Sequence, residues 1–275
     1  MRIERHAIDD EYMKDMKSRQ DAAFAFFATC DWAKKNPVKL SLLMSACSEA
    51  IAYACLLNPE HPGIPRALRL GAQAAAALFA AATASKENPV TVPLDDEEVT
   101  YTSRPDESTV HRGRWIEGFF LSILSNDGHS WDLLRQVNPE LLKKSSTQGA
   151  EYGQLYMESL RAYARSEPEA GPKIVAAIHA TDPERPDVGD ADQTLNLDVP
   201  QMEVCVWMMT RNPKFTDALT RAVEDHKKYY SRGKYRRRDY YGYISLDLTA
   251  LASMGRKVGL PIDVESPYLP LQIAQ

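Results

Sequence analysis

The chain has 275 residues, of which 44% are hydrophobic and 26% are charged, and its formal net charge at pH 7 is -5. This hydrophobic content is enough to form a sizeable core, so the composition excludes a chain that is disordered throughout. The acidic balance weakly opposes nucleic-acid binding over the whole surface and leaves room for a basic partner.

The first third of the sequence predicts three helices. Apolar side chains recur at helical spacing in residues 9–35 and 40–55, and residues 71–84 form an alanine-rich run. Asn-Pro pairs mark element boundaries, because proline pushes the residue before it away from helical dihedral angles. These pairs begin at positions 36, 58, 88, 138 and 212.

Cellular location is predicted from the absence of export and membrane signals. The first twelve residues lack the apolar core of a signal peptide. The alanine-rich run, the one stretch that resembles a membrane span, is shorter than the roughly 20 residues a helix needs to cross a bilayer. The four cysteines lie in apolar helical runs without CxxC spacing, which is typical of small core residues. We therefore expect a cytoplasmic protein without membrane association.

Residues 89–109 interrupt the helical pattern. Their valines, threonines and tyrosine favour extended chain, and Asp95-Asp96 predicts the turn of a small hairpin. Helical spacing then resumes, whereas residues 181–200, with internal prolines and many carboxylates, predict an irregular acidic loop. The further predicted helical segments are 114–126, 130–136, 139–145, 149–166 and 170–180.

Two amphipathic helices are predicted near the C-terminal end. Asn212 and Pro213 form a strong helix start, because Asn accepts hydrogen bonds from free backbone N–H groups and Pro has none to leave unpaired. The second helix ends at Gly259, with Pro261 as a stop signal beyond it. These patterns predict an all-α protein, as a multi-helical bundle or irregular helical array, with one small β-hairpin near 90–102 and a single domain over residues 1–275.

The C-terminal signature, residues 212–270, resembles the immunity protein 49 family of bacterial polymorphic toxin systems. The closing Ser266-Pro267-Tyr268-Leu269-Pro270 is its most distinctive part. The resemblance implies an all-helical cytoplasmic protein that binds and silences a co-encoded toxin, such as a nuclease, without being an enzyme. The matching scaffold positions are Phe215, Leu219, His226, Tyr229, Leu251, Gly259, Pro261, Ser266, Tyr268, Leu269 and Pro270.

Two acidic segments are the candidate toxin contacts under this hypothesis. Carboxylates can occupy the place of substrate phosphate in a basic nuclease cleft and accelerate encounter. Surface carboxylates are also often only solvated, and that alternative stays open here. The candidate residues are Asp95, Asp96, Glu97 and Glu98 in the first acidic segment, and Asp182, Glu184, Asp187, Asp190 and Asp192 in the second.

The basic connection, residues 227–243, suggests a second function. It interleaves arginines and lysines with tyrosines, a mixture that can hold phosphates and stack bases. The alternative is structural: the arginines pair with the acidic loops while the tyrosines pack between helices. A helical nucleic-acid-binding protein is therefore the competing hypothesis to toxin binding.

Catalytic and metal-binding motifs are not found in the sequence. It contains no GxSxG, GxxxxGK[ST], HExxH or GxGxxG spacing. Glu107 and His111 have helical metal-pair spacing but no third ligand nearby, and His226 lies on an apolar stripe where a hydrogen-bonded structural role is expected. We therefore predict no catalytic residue, no metal and no cofactor, leaving open an enzyme whose residues converge only on folding.

Overall fold

The computed structural model describes residues 1–147, 149–185 and 190–274, and these form α-helices and one two-stranded hairpin. The strands are β1 (Val90–Leu94) and β2 (Glu97–Tyr101). The all-α fold class with a small hairpin is therefore confirmed. The α-helices are α1 (Asp10–Lys14), α2 (Met16–Phe26), α3 (Asp31–Lys34), α4 (Leu40–Leu57), α5 (Ile64–Ala81), α6 (Arg112–Leu124), α7 (Gly128–Gln136), α8 (Pro139–Lys143), α9 (Glu151–Ala164), α10 (Ala170–His179), α11 (Ala191–Gln193), α12 (Val199–Met209), α13 (Lys214–Tyr230), α14 (Gly233–Arg237) and α15 (Leu246–Lys257).

Contacts between residues group the described chain into two compact units. Unit 1 contains residues 1–16, 55–59 and 149–274, and unit 2 contains residues 17–54 and 60–147. Each unit has a buried apolar core. The single domain over residues 1–275 stays a prediction.

In unit 2, the alanine-rich helix α5 is the central element. It contacts α6, α7 and strand β1, and its small side chains allow close approach. An added Cβ at Gly118 of α6 would lie only 2.3 Å from the Ala75 Cβ. Trp115 is fully buried beside this contact, and its indole N–H donates to the Leu134 carbonyl at 2.9 Å. Small residues thus set the spacing of α5 and α6.

Helix α4 corrects the expectation that residues 71–84 alone resemble a membrane span. The 21 residues Pro37–Leu57 are long and apolar enough to cross a bilayer, with a mean hydropathy of 1.7 in the most apolar window. In the structure, 72% of that window is buried inside the protein. Most of the segment is therefore covered by protein, while Leu42 and Leu57 are exposed.

In unit 1, helix α13 packs against α12 and α15. Asn212 begins α13 as expected, since its Oδ1 accepts from the Lys214 backbone N–H at 3.0 Å. On the buried face of the helix, Phe215 lies against Gly255 of α15, where an added Cβ would be 2.4 Å from the phenyl ring. The predicted pair of packed helices is confirmed.

Two predicted elements differ from the structure. The single helix over residues 9–35 is wrong: the segment forms α1, α2 and α3, and Cys30, with φ of 39°, turns the chain between the last two. That turn places Phe27 and Cys30 in the core. The predicted irregular loop over residues 181–200 gives way to helix at Ala191, because the Asp190 side chain accepts from the free N–H groups of the first turn.

The predicted packing of the cysteines is confirmed. Cys30, Cys47, Cys55 and Cys205 are all buried and free of disulfides. Burial raises the pKa of the Cys205 thiol to about 12 and that of Cys30 to about 11. These side chains therefore remain protonated at neutral pH and act as small core residues.

Candidate interaction surfaces

The first acidic segment forms the tip of the β1–β2 hairpin. The strands pair in antiparallel register from Val90 opposite Tyr101 to Leu94 opposite Glu97. Asp95 and Asp96 occupy the turn, with φ of 54° and 65°. Two consecutive residues with positive φ are typical of a type I′ hairpin turn, which aspartate tolerates better than most residues.

Asp95 is bound inside unit 2 rather than presented to a partner. The Arg66 guanidinium donates to both of its carboxylate oxygens, at 3.1 and 2.8 Å, and the Cys30 thiol lies 3.6 Å from one of them. The Asp95 backbone N–H donates to the Gln73 side chain at 2.9 Å. Burial acts to raise the pKa of Asp95, but the Arg66 hydrogen bonds and charge outweigh it and hold that pKa below its usual value. Asp95 therefore fixes the hairpin to α5.

The other three carboxylates of this segment are more exposed. Glu97 pairs with Lys34 at 3.0 Å, and Asp96 lies 3.6 Å from Arg69 with 78% of its side chain exposed. Glu98 is exposed on β2, and no cation of the described ranges pairs with it. Asp96 and Glu98 are thus the two carboxylates of the tip best placed to meet a partner.

The second acidic segment also contains both carboxylates that pair with arginines and carboxylates that are exposed. Asp192 accepts hydrogen bonds from both Arg232 and Arg236, which lower its pKa, and Asp190 lies 3.7 Å from Arg236. Asp182 and Glu184 are exposed, although Asp182 Oδ1 accepts from the Glu184 backbone N–H at 3.0 Å. The candidate Asp187 lies outside the described residues.

Arginines of the basic connection pair with carboxylates within unit 1. Arg236 binds Asp192 and lies over the Tyr229 ring, 3.9 Å from its centroid. Arg238 pairs with Asp9 at 2.8 Å and lies over the Tyr12 ring. These contacts follow the structural alternative considered for the connection, in which arginines pair with acidic residues.

Three of the six tyrosines of the connection are buried. Tyr229 and Tyr230 are buried on α13, and Tyr243 is fully buried, with its hydroxyl donating to the Arg238 carbonyl at 2.9 Å. Tyr241 is 44% exposed, and Tyr235 on α14 is 92% exposed. Base stacking needs an open ring face, so the buried tyrosines are unsuited to it in this conformation.

The closing Ser-Pro-Tyr-Leu-Pro segment packs against the N-terminal residues. Ser266 Oγ donates to the Ile3 carbonyl at 2.8 Å and accepts from the Tyr268 backbone N–H at 3.2 Å. The Arg5 guanidinium donates to the carbonyls of Tyr243 and Pro267. This pairing of the two ends of the sequence carries no local signal, so sequence reasoning missed Ile3 and Arg5.

His6 and Tyr268 form a buried hydrogen-bonded pair. The His6 backbone N–H donates to the Tyr268 hydroxyl at 2.7 Å, and His6 Nδ1 lies 2.8 Å from the same oxygen. His6 Nε2 lies 3.3 Å from the Arg237 carbonyl. Because a carbonyl can only accept, Nε2 carries a proton, and in the neutral ring the Tyr268 hydroxyl donates to Nδ1. Burial lowers the pKa of His6, which favours this neutral form.

His226 is buried between two aromatic rings. Its ring centroid lies 4.7 Å from that of Tyr230 and 4.9 Å from that of Tyr268. It makes a backbone hydrogen bond to Gly242, while its Nε2 has no partner in the described part of the chain. Burial lowers the pKa of His226 to about 3. This histidine therefore stays neutral and fills space between α13 and the connection.

The remaining scaffold positions lie in the core or at the end of α15. Gly259 has φ of 85°, which favours glycine after a helix, and the Pro261 carbonyl accepts from Thr216 of α13 at 2.9 Å. The buried scaffold positions are Phe215, Leu219, Tyr229, Leu251, Ser266, Tyr268, Leu269 and Pro270.

Each unit also has an open groove. In unit 2 a groove of about 460 Å³ runs between α5, α7 and α8, with Arg104 and Lys144 among its lining residues. In unit 1 a groove of about 440 Å³ is lined by Arg5 and the C-terminal segment. Within the described residues, no group of three or more His, Cys, Asp or Glu side chains could hold a metal ion.

A family model described as Immunity protein 49 matches residues 64–273 of the chain. The matched region begins at α5 and includes the hairpin, all the described acidic candidates and the C-terminal signature. It thus extends well upstream of the residues that carried the resemblance in the sequence. No curated protein and no solved structure matches the chain.

Proposed function

Because the chain belongs to the immunity protein 49 family, we propose that it binds a cognate antibacterial toxin tightly and non-covalently and thereby neutralises it. The observation that carries this proposal is the family match, which spans most of the chain. Immunity of this kind depends on a surface that complements the toxin. The protein itself carries out no reaction and requires no cofactor, and it acts in the cytoplasm, where the toxin would act.

The acidic segments are the proposed contacts for a basic cleft, as in a nuclease-type toxin. Their exposed carboxylates would take the place of substrate phosphate and raise the rate of encounter. In the first segment Asp96 and Glu98 would meet the toxin, while Asp95 holds the hairpin in position. In the second segment Asp182 and Glu184 would do so, while Asp190 and Asp192 are paired with arginines.

Co-expression with the toxin domain encoded beside this gene tests the immunity function. We expect the protein to restore growth and to elute with the toxin as a stable one-to-one complex in size-exclusion chromatography. Continued growth arrest, together with separate elution of the two proteins, would contradict the proposal.

Charge reversal tests the role of the first acidic segment. We expect Asp96→Asn, which suits the positive φ of the turn, combined with Glu98→Lys to weaken toxin binding at least about tenfold, with the association rate most affected. The variant Glu87→Gln with Glu169→Lys, at two other exposed acids, is a control with the same change in net charge. Undiminished affinity of the hairpin variant would exclude this segment from the interface. The variant Asp182→Lys with Glu184→Lys tests the second segment separately.

A further inference from the structure

Helix α14 presents the most exposed aromatic side chain of the described residues. Tyr235 is 92% exposed, and it ends a run of five consecutive exposed residues, 231–235. Burying a tyrosine ring normally stabilises a protein, so a ring displayed to this extent contributes little to the fold. Tyrosine and arginine are the residue types that often supply much of the binding energy in protein interfaces.

The backbone that carries Tyr235 is held from both sides. Arg232, just before α14, and Arg236, within it, both bind the Asp192 carboxylate. Arg236 also stacks on the buried Tyr229, with 3.9 Å from the guanidinium carbon to the ring centroid. This network holds α14 against α11, which lies in the second acidic segment. A side chain displayed on an ordered element loses less conformational entropy on binding than one on a free loop.

The charge around Tyr235 is positive. Asp192 and Asp190 are matched by Arg232 and Arg236, so their charges largely cancel. Lys234, next to Tyr235, is exposed and has no carboxylate partner in the described ranges. A partner surface with carboxylates would complement this charge and would raise the rate of association.

We infer that α14 is a docking surface for the toxin, in which Tyr235 enters an apolar recess and Lys234 pairs with a carboxylate at its rim. This inference rests on the proposed immunity function and adds a contact next to the second acidic segment, whose Asp192 is bound by Arg232 and Arg236. The occupant is a part of the toxin surface that carries carboxylates, distinct from the basic cleft proposed to bind the acidic segments. A nucleic acid fits less well, because Tyr229, Tyr230 and Tyr243 are buried and only part of the connection can stack on bases.

The test measures binding of the purified toxin domain encoded beside this gene to surface variants of the full chain. We expect Tyr235→Ala to weaken binding about 30-fold or more, as at an interface hot spot. Lys234→Glu should lower the association rate and reduce its dependence on salt. Because both side chains are exposed, the melting temperatures should stay within about 1–2 °C of the wild type.

Two controls make the outcome specific. Tyr235→Phe keeps the ring and should retain most of the affinity. Lys257→Glu makes the same charge change at an exposed position at the end of α15, and should leave the association rate near that of the wild type. Tight binding by Tyr235→Ala, with an intact wild-type complex, would overturn this inference and leave the proposed function standing.

The remaining outcomes are also decisive. If the wild-type protein forms no complex with the toxin, both proposals fail together. If the wild type instead binds a labelled oligonucleotide, with affinity that falls steeply with salt and is lost in Tyr235→Ala, α14 is a nucleic-acid surface and the toxin-docking inference is overturned.

Discussion

His226 shows how burial decides the role of a titratable side chain. The ring lies among Tyr230, Tyr268 and the Gly242 backbone, and its burial there lowers its pKa. Replacing it with alanine would leave a cavity in the core of unit 1. We expect His226→Ala to lower the free energy of unfolding by about 2–4 kcal/mol, by analogy with other large-to-small core changes. Chemical denaturation measures this value, and an unchanged midpoint would contradict it.

Acid should weaken the fold through the same histidine. Its pKa is about 3 when folded, against an ordinary 6.5 when unfolded. Its neutral form is therefore fully favourable above pH 6.5, and below that value the unfolded chain binds a proton that the folded chain does not. Stability should fall by up to about 1.4 kcal/mol per pH unit from this group. His226→Phe should show a shallower decline in melting temperature between pH 6.5 and 4.5 than the wild type.

Asp95 and Glu98 belong to the same acidic segment but have different roles. Asp95 is bound by Arg66, whereas Glu98 is exposed. Asp95→Asn keeps the shape and tolerates the positive φ, but it loses charge-assisted hydrogen bonds from Arg66. We expect it to lower stability by about 1–2 kcal/mol at pH 7. Glu98→Gln removes the same charge at an exposed site and should change stability by less than about 0.5 kcal/mol.

Asp95 also has a lowered pKa in the folded protein, but for a different reason. The hydrogen bonds and charge of Arg66 lower the pKa of Asp95, whereas burial lowers that of His226. The folded-state pKa of Asp95 is lowered, so its contribution is present above the ordinary value of 3.8 and disappears as the pH falls through the folded value. The difference between wild type and Asp95→Asn should therefore shrink in strong acid. Equal stability of both proteins at pH 7 would show that Arg66 contributes nothing through this pair.

The sequence predicts residue roles only where they depend on local pattern. His226 lies on the apolar stripe of α13, so its burial follows from helical spacing. The partner of Asp95 could not be found in that way, because Arg66 lies 29 positions earlier and the two meet only when the hairpin packs on α5. The sequence pattern therefore groups Asp95 with its exposed neighbours.

At the scale of elements, the contact between α13 and α15 depends on one glycine. A Cβ at Gly255 would lie 2.4 Å from the Phe215 ring. Alanine is the better helix former by about 1 kcal/mol, but the overlap forces α13 and α15 apart. We expect Gly255→Ala to lower stability by about 1–3 kcal/mol.

The matched control is Gly128→Ala in the first turn of α7. No atom lies within 4 Å of its added Cβ, so this variant should be neutral or slightly stabilising. Thermal unfolding of both variants distinguishes packing from helix propensity. A stabilised Gly255→Ala protein would mean that the two helices have room to adjust.

Element prediction succeeded where capping residues and spacing agree. The predicted Asn-Pro boundary at 212 and the turn at Asp95-Asp96 are both found in the structure. The predicted helix over residues 9–35 is wrong because its apolar stripe is loose and the break at Cys30 is imposed by burial in the core. Tertiary packing overrides propensity in such segments.

At the scale of the whole molecule, the structure brings the first residues of the chain to the last. Arg2 pairs with Glu265 as an isolated parallel bridge, and the Met1 amino group donates to the Asp263 carbonyl at 2.6 Å. Deleting residues 1–6 would remove these contacts and would also leave Ser266 without Ile3 and Tyr268 without His6. We expect the deletion to lower the melting temperature by about 5 °C or more.

The double variant Arg2→Ala with Glu4→Ala is a control for this deletion. These two side chains are largely exposed and, in the described part of the chain, pair only with each other. This variant keeps the backbone pairing and should melt near the wild-type temperature. Equal stability of the deletion variant would show that the N-terminal residues are dispensable. The pairing itself could not be predicted, because no periodicity links residues more than 260 positions apart.

This pairing also sets an order for folding on the ribosome. All of unit 2 lies before residue 149, so its helices can assemble while the rest of the chain is still being made. Unit 1 joins residues 1–6 to residues 263–269, and contacts of such long sequence separation form slowly. Residues 1–6 can therefore make these contacts only after residues 263–269 have been synthesised. The unit that carries α14 and Tyr235 is completed only when the last residues of the signature emerge.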